Sequence, residues 1–268
     1  VTGASSGIGY ELTKRFATDG WDVIVVSRRE ERLAKVTEEL RETYGVNAHI
    51  FAQDLAPAGA AQTLYHNVTD AGHEVDALVN NAGYGSYGSF LEDDLETDRE
   101  LIGLHAVTPT VLSKLFGRDM AARGGGRILN NASIAGWAPS PNSAVYSAAK
   151  HYERAFSEAI ADELSDERIT VTVLCPGETE TGFFDRGGYD DSGAAEANMM
   201  TPAEVAAAGY EGLMAGERIV IPGSLNKVPV SLCGTMPRSP TLTLCYHSFT
   251  QCHTPRSDPP DAPARPRF

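Results

Sequence analysis

Short apolar runs alternate with helical patterns along most of this chain, and this alternation constrains the fold more than any other feature. Helices are predicted near residues 8–19, 30–43, 57–71, 96–122, 143–165 and 202–215. Strands are predicted near residues 22–27, 47–51, 75–80, 126–132, 169–175 and 218–221. Strands separated by helices form parallel sheets. We therefore predict an α/β protein, and its 268 residues are enough to bury one sizeable core.

Three residues in the middle of the chain could form a catalytic group. Tyr146 and Lys150 are four positions apart on a predicted helix, so their side chains share one face. A nearby cation lowers the pKa of a tyrosine and makes it a better acid–base group at neutral pH. Ser133 follows a predicted strand, and active sites of open α/β sheets lie where strands end. A tyrosine and a lysine at this spacing also occur by chance on ordinary helices.

The amino terminus predicts a turn that could hold a phosphate. Gly3, Gly7 and Gly9 precede and open the first helical pattern. Glycines at such a turn let backbone N–H groups approach a pyrophosphate at the helix N-terminus. Their spacing differs from the common G-x-G-x-x-G pattern, and an ordinary strand–helix turn remains the alternative.

The end of the strand near 22–27 indicates which nucleotide is bound. Arg28 and Arg29 follow Ser27, where an NAD site usually carries an acidic residue. An arginine at this point can accommodate the 2′-phosphate of NADP, and Arg28 is the preferred candidate because it directly follows the strand. The alternative is a solvated arginine pair that precedes the next helix.

Taken together, these residues resemble the classical short-chain dehydrogenase/reductase family. The resemblance covers about residues 1–222 and rests on several motifs in order: Thr2-Gly3-x3-Gly7-x-Gly9, Asp54-Leu55, Asn80-Asn81-Ala82-Gly83, Ser133, Tyr146-x3-Lys150, and Pro176-Gly177 with Thr181. It implies a single Rossmann-like domain with a doubly wound parallel sheet. It also implies an NAD(P)-dependent oxidoreductase, with NADP preferred and NAD as the second choice.

The resemblance assigns a role to each site residue. Ser133 would orient the substrate, Tyr146 would act as the acid–base, and Lys150 would hold the nicotinamide ribose and lower the pKa of Tyr146. Glycines of the first turn would flank the pyrophosphate, Asp54 and Leu55 would border the adenine, and Asn81 would lie by the ribose. The full predicted cofactor site is Gly3, Ser5, Ser6, Gly7, Ile8, Gly9, Arg28, Arg29, Asp54, Leu55, Asn81, Ala82, Gly83, Tyr146, Lys150, Pro176, Gly177, Thr179 and Thr181.

One position departs from the family pattern. The family places an asparagine on the helix before the serine strand, and counting along the chain puts His105 there. We count His105 as a fourth catalytic residue. Histidine can also hydrogen-bond a water, but it titrates near neutrality. We therefore expect an acid limb in the activity with an apparent pKa of about 6–7, close to the unperturbed histidine value.

The expected reaction is the reduction of a ketone or acyl carbonyl by NADPH, with a small carbonyl or alcohol compound as the substrate. The alternative is a non-catalytic NADP-binding protein with a regulatory or assembly role. Residues 178–200 are rich in glycine and apolar side chains, including Phe183, Phe184, Tyr189, Met199 and Met200. We expect this segment to cover a hydrophobic substrate, although its aromatic residues could simply pack on the sheet.

The predicted domain spans residues 1–224, with its first strand truncated at Val1. Residues 225–268 form a C-terminal extension that is Pro-rich and expected to be disordered from about residue 250. The helices near 96–122 and 143–165 carry apolar residues on more than one face, which predicts a homodimer or homotetramer.

Charge and composition limit the other partners. The formal net charge of −14 argues against nucleic acid and anionic membranes. The chain contains no apolar run of spanning length and no signal-peptide pattern, so we predict a cytoplasmic protein without stable membrane insertion. The four cysteines lack metal-ligand spacing, and no metal site is predicted.

Overall fold

The computed structural model describes residues 1–181, 199–227 and 230. Its strands are β1 (Val23–Ser27), β2 (Ala48–Ala52), β3 (Ala77–Asn80), β4 (Gly126–Asn131), β5 (Ile169–Leu174) and β6 (Ile219–Val220). Its α-helices are α1 (Gly7–Thr18), α2 (Glu30–Tyr44), α3 (Ala60–Asp70), α4 (Leu95–Ile102), α5 (Thr108–Arg123), α6 (Ala144–Glu163) and α7 (Pro202–Ala215). The predicted alternation of strands and helices is confirmed.

All the strand pairs are parallel. β1 pairs with β2, and a second ladder runs in the order β3-β4-β5-β6. Residues near the amino terminus connect the two ladders, because Thr2 bridges to Val26 while its backbone N–H donates to the Val79 carbonyl at 2.9 Å. The strand order therefore reverses around Thr2, and open α/β sheets bind ligands at such a reversal. The doubly wound parallel sheet of the prediction is confirmed.

Helices cover the sheet in two apolar clusters. One cluster holds Leu12 and Phe16 of α1 together with Leu213 of α7. The other holds Leu112 and Phe116 of α5. Each such side chain, when fully buried, contributes about 1.5–3 kcal/mol relative to exposure. These clusters fix the helices against the strands and so fix the strand ends at which the site is formed.

The long helix predicted over residues 96–122 is interrupted. Between α4 and α5, residues Gly103–Val107 form a π-helical turn. A side chain at position 103 would come within 2.8 Å of the Ala56 carbonyl oxygen, so glycine permits this close approach. The widened turn carries His105, whose side chain is buried. Single π-helical turns of this kind are frequent at functional sites.

The start of α7 follows its predicted signals. Thr201 and Glu204 form a reciprocal capping box, and Pro202 occupies the first helical position. Among the described helices, none is long and apolar enough to cross a bilayer. The same part of the chain holds no cluster of three or more candidate metal ligands.

Several predictions fall on residues outside the described ranges. They concern most of the segment expected to cover the substrate, including Phe183, Phe184 and Tyr189, and nearly all of the C-terminal extension. The domain boundary at residue 224 also stays a prediction.

Candidate active site

The glycine turn at the amino terminus is tied to the end of β3. The Thr2 hydroxyl accepts hydrogen bonds from the backbone N–H groups of Asn81 at 2.9 Å and Ala82 at 3.0 Å. The Asn81 amide in turn donates to the Thr2 carbonyl at 3.0 Å. Gly3 and Gly7 have φ values of 69° and 59°, a region that favours glycine. These bonds place the turn directly above the strand end that carries Asn81.

Gly9 lies in close contact with the turn. A Cβ atom at Gly9 would lie 2.5 Å from the Gly3 carbonyl oxygen and would collide with the Asn81 side chain. Gly9 is buried beneath the turn and does not line the cleft. The absence of a side chain allows this close packing, and a place for Gly9 beside the pyrophosphate stays a prediction.

The start of α1 fits an anionic group. Ser6 precedes the helix without making a side-chain capping bond, and the first turn carries no acidic residue. The first N–H groups of a helix have no intrahelical partner and, together with the helix dipole, attract phosphate. The glycines keep this surface free of side chains. The residues present therefore fit the pyrophosphate of a dinucleotide.

Two arginines lie at the nucleotide end of the cleft. The Arg28 guanidinium is 3.6 Å from the Asp54 carboxylate, and the two side chains are 59% and 45% exposed. Arg29 donates from Nη2 to the hydroxyls of Ser5 at 2.9 Å and Ser6 at 3.2 Å. Arg29 thus connects the end of β1 to the glycine turn, and Arg28 remains on the solvent side.

Ser133, Tyr146 and Lys150 meet at the other end. Ser133 lies just after β4, where its Oγ accepts a bond from the Ala135 N–H at 3.1 Å. Its side chain also hydrogen-bonds that of Tyr146, which lies on α6. Lys150 lies one turn further along α6, with Nζ 5.8 Å from the centre of the Tyr146 ring. The structure brings together the three residues that the sequence singled out.

The pKa of Tyr146 moves in the opposite direction from the one expected. Burial raises the pKa of Tyr146 well above its ordinary range, the Ser133 hydrogen bond lowers it, and the Glu153 carboxylate raises it. The Lys150 ammonium, which was expected to lower this pKa, donates instead to the Asn131 carbonyl and to Glu153, each at 2.7 Å. In the cofactor-free protein, the desolvation of the phenolate outweighs any help from the lysine.

His105 lies close to this group, as predicted. Its ring packs edge-on against the Tyr146 ring, with the ring centres 5.6 Å apart. Its Nε2 lies 2.9 Å from the Tyr84 carbonyl oxygen. Gly83 leaves the space for this ring, because a Cβ atom at that position would collide with the imidazole. Burial, followed by the charge of Lys150, lowers the pKa of His105, so the expected acid limb belongs below the ordinary histidine range.

Sequence reasoning missed Glu153. This carboxylate lies three residues after Lys150 on α6, and the side chain is only 4% exposed. The i, i+3 spacing places both side chains on one helix face, so the signal was present in the sequence. A glutamate on a helix is usually solvated, however, and only the packing of α6 shows that this one is buried.

One cleft joins both ends of the site. With the exception of Gly9, every predicted site residue lines it, and so do several that were not predicted: Val26, Ser27, Gln53, Ala56, Tyr84, Leu104, Asn131, Ala132, Ile134, Ala135 and Glu178. The lining residues Thr179 and Thr181 follow β5 along the chain. Asn131 links the two halves by donating to the Asn81 side chain at 2.8 Å.

Comparison with known proteins agrees with this geometry. Residues 1–189 match the family described as short chain dehydrogenase. A Streptomyces coelicolor protein named as a ketoacyl reductase is 40% identical over 186 residues, which are 68% of this chain and 70% of that protein. Sulfoacetaldehyde reductase 2 of Chromohalobacter salexigens is 35% identical over 189 residues, covering 68% of this chain and 73% of the relative.

Solved structures show the same fold. A short-chain dehydrogenase from Sphingobium yanoikuyae in complex with NADPH superposes with a TM-score of 0.78 at 28% identity, covering 89% of this chain and 96% of that one. A 7beta-hydroxysteroid dehydrogenase gives a TM-score of 0.82 at 28% identity, covering 91% and 95% of the two chains. The family match spans more than half of the sequence, and the chain belongs to the short-chain dehydrogenase family, whose members are NAD(P)-dependent oxidoreductases acting on alcohol and carbonyl groups.

Proposed function

We propose that this enzyme reduces a ketone or acyl carbonyl to an alcohol with NADPH, and that Tyr146 donates the proton. The observation that supports this most is the meeting of the Ser133 and Tyr146 side chains above Lys150 in the cleft. A hydroxyl pair of this kind can contact a single carbonyl oxygen from two directions. The rest of the proposal concerns what each group does to that oxygen.

The protonation state of Tyr146 suits a proton donor. Burial raises the pKa of Tyr146, so its phenol is protonated at neutral pH. Reduction needs a proton on the carbonyl oxygen as negative charge develops there, and the Tyr146 O–H can supply it. The Ser133 hydroxyl can donate a second hydrogen bond to the same oxygen and stabilise its charge. Oxidation of an alcohol would instead need a deprotonated tyrosine, which this environment disfavours.

The dinucleotide would lie along the cleft. Gly3, Ser5, Ser6 and Gly7 would hold its pyrophosphate at the start of α1, and Asp54 with Leu55 would border the adenine. Lys150 and Asn81 would hold the ribose groups. When bound, NADPH supplies the hydride that reduces the carbonyl carbon. The remaining predicted contacts with the dinucleotide are assigned to residues that line the same cleft: Ile8, Ala82, Gly83, Pro176, Gly177, Thr179 and Thr181. Gly9 does not line the cleft.

Two arguments favour NADPH over NADH. The strand end carries Arg28 and Arg29 where an acidic residue would contact the ribose of NAD. In addition, a solved relative with 28% identity contains NADPH. Asp54 lies close to Arg28, but an exposed pair at 3.6 Å leaves the guanidinium available to a phosphate. NAD remains the second choice of cofactor.

The names of three relatives support the proposed substrate class. Two of them are named for reductions of a ketoacyl group and an aldehyde, and a third, from Staphylococcus epidermidis, is a diacetyl reductase with 31% identity. All three names describe the reduction of a carbonyl group. We therefore propose a carbonyl compound for this chain.

A second function is supported by His105 and Glu153. Both side chains are buried beside the proposed catalytic residues, and Glu153 accepts a hydrogen bond from the Lys150 ammonium. A protein of this kind could bind NADPH without turning it over and act as a regulatory or assembly partner. Binding without turnover is the property that separates the two functions.

The experiment measures NADPH oxidation at 340 nm with a panel of diketones, aldehydes, bulky ketones and β-ketoacyl thioesters. We expect turnover with at least one of these compounds and none in its absence. Tyr146→Phe, which keeps the ring, serves as the control and should bind NADPH without turning it over. Tight NADPH binding with no oxidation across the panel would favour the non-catalytic function.

We also propose a homodimer or homotetramer. Ile102, Val107 and Tyr152 are 48%, 51% and 43% exposed, although they are large and apolar. Tyr152 stacks on Phe156 with the ring planes 8° apart. Light scattering at micromolar concentration should report at least twice the monomer mass, and a monomer would contradict the proposal. The cytoplasmic location stays a prediction.

A further inference from the structure

Glu153 forms an ion pair with the lysine of the active site. Its Oε2 lies 2.7 Å from Lys150 Nζ, and the side chains are 4% and 5% exposed. The ammonium also donates to the Asn131 carbonyl at 2.7 Å. Two of the three N–H donors of Lys150 are thus held by named acceptors, and this leaves one for another partner.

His105 contacts the same carboxylate. A backbone carbonyl can only accept, so the Nε2 atom that lies 2.9 Å from the Tyr84 oxygen must carry a proton. In the neutral ring, Nδ1 is then an acceptor, and it lies 3.9 Å from Glu153 Oε2. Nδ1 is buried without a hydrogen-bond partner at this distance. Two hydrogen-bond acceptors, His105 Nδ1 and Glu153 Oε2, therefore face each other. A proton on either group would change their interaction from repulsive to attractive.

We propose that Glu153 is a positioning residue that holds the Lys150 ammonium in place. His105 lies against the same carboxylate, so the charge state of each of the three side chains affects the other two. The proposal rests on the function proposed above, because it concerns the lysine of that site. Glu153 is thereby added to the candidate active site, although neither the family motifs nor the sequence analysis assigned it a role.

Burial gives this cluster its significance. Removing two charges from water is costly, and a buried ion pair is seldom more stable than an apolar pair of the same size. Glu153 is therefore a poor choice for stability alone. Its charge acts on its neighbours, because it raises the pKa of Tyr146 and that of His105. The first effect keeps the Tyr146 phenol protonated, and the second opposes, without reversing, the lowering of the His105 pKa by burial and Lys150.

The first test measures the pKa of His105 by NMR in the cofactor-free enzyme. The charged groups that face this ring are Lys150 and Glu153, beside the Tyr146 ring and the Tyr84 carbonyl. Glu153→Gln removes the group that raises the pKa of His105, so this pKa should fall further. Lys150→Met removes a cation that lowers it, so the pKa should rise. Opposite movements in the two variants are expected if both charges act on His105 across the short distances seen here, and no movement in either variant would contradict this.

The second test measures turnover as a function of pH. At metal sites, partners that orient a ligating side chain contribute about 10–100-fold to affinity or activity, and we take the same order for a partner that orients Lys150. We expect Glu153→Gln to lower kcat by about this factor and to move the alkaline limb to lower pH, because the pKa of Tyr146 falls when the carboxylate is removed. Glu153→Asp, which keeps the charge, should retain the wild-type limb even where kcat is reduced.

Glu158 provides the matched control. It lies on the same helix and pairs with Arg154 at 2.7 Å, but its side chain is 33% exposed. Glu158→Gln should leave kcat and the pH profile unchanged. If Glu153→Gln behaves like Glu158→Gln, the positioning role is wrong.

The outcomes separate this proposal from the proposed function. If Glu153→Gln does not fold by circular dichroism, Lys150→Met decides, and an unchanged pKa of His105 in that variant overturns the proposal. If the wild-type enzyme oxidises NADPH with none of the carbonyl compounds, the proposed function is contradicted. The NMR titration needs neither cofactor nor substrate, and it tests the coupling of the three side chains independently.

Discussion

The ion pairs at the two ends of the cleft differ in burial. At the nucleotide end, Arg28 and Asp54 are 59% and 45% exposed and lie 3.6 Å apart. At the tyrosine end, Lys150 and Glu153 are 5% and 4% exposed and lie 2.7 Å apart. Exposed ion pairs typically contribute about 0–1 kcal/mol, whereas removing one partner from a buried pair costs about 3–5 kcal/mol. Substitutions at the first end should adjust affinity, and those at the second should change the chemistry.

The largest effect is expected at Tyr146. Tyr146→Phe keeps the buried ring and removes the proton, and general acid–base participation contributes about 10²–10⁴-fold. We expect kcat to fall by this factor while NADPH affinity, measured by fluorescence titration, stays near that of the wild type. Near-full turnover in the variant would show that the buried end has no special chemical role and would remove the contrast between the two ends.

The glycine turn lies between the ends, and it tests whether close packing matters as much as charge. Gly9→Ala would push a Cβ atom against the Gly3 carbonyl oxygen, 2.5 Å away. Overpacking of this kind costs about 1–3 kcal/mol and should shift the turn. We expect NADPH affinity and the melting temperature to fall together.

Gly117→Ala is the matched control for this substitution. Gly117 also lies within a helix, but a Cβ atom there would only approach Ile128 Cδ1 at 4.0 Å. Alanine is the better helix former by about 1 kcal/mol, so this variant should be unchanged or more stable. Equal losses in both variants would mean that the turn is not specially constrained.

Much of the nucleotide end could be predicted from the sequence. Its parts are backbone turns and strand ends, and the glycines and arginines that form them follow one another along the chain. The structure places Gly3, Gly7, Arg28 and Arg29 around one cleft, as the spacing indicated. Features that depend only on local chain geometry leave a local signal in the sequence.

The tyrosine end was less predictable because its properties arise from packing. The sequence placed Ser133, Tyr146 and Lys150 together, but it gave the wrong direction for the pKa of Tyr146 and it missed Glu153. Both errors have one cause, which is that burial of α6 decides the dielectric around these groups. The π-helical turn at Gly103–Val107 also depends on contacts across the chain, so a helical pattern alone could not reveal it.

A smaller effect is expected for the choice of cofactor. A charge-assisted hydrogen bond contributes about 1.5–3 kcal/mol, and the exposure of Arg28 places it at the lower end. Arg28→Ala should therefore weaken NADPH by about tenfold and leave NADH nearly unchanged. Arg29→Ala should affect both cofactors, because Arg29 holds Ser5 and Ser6 at the pyrophosphate turn. Equal losses of both cofactors in Arg28→Ala, or a wild-type preference for NADH, would contradict the assignment.

The smallest effect concerns the stability of the cofactor-free protein at acid pH. Burial and the Lys150 charge lower the pKa of His105 from an ordinary value of 6.5, despite the opposing pull of Glu153. The unfolded chain then binds a proton that the folded protein resists, so this contribution to stability is present above about pH 6.5 and is lost as the pH falls. His105→Asn removes the titrating group. Its melting temperature should decline less than that of the wild type between about pH 7 and pH 5. Parallel declines would show that His105 is not coupled to the buried charges, and the tyrosine end would then resemble the nucleotide end.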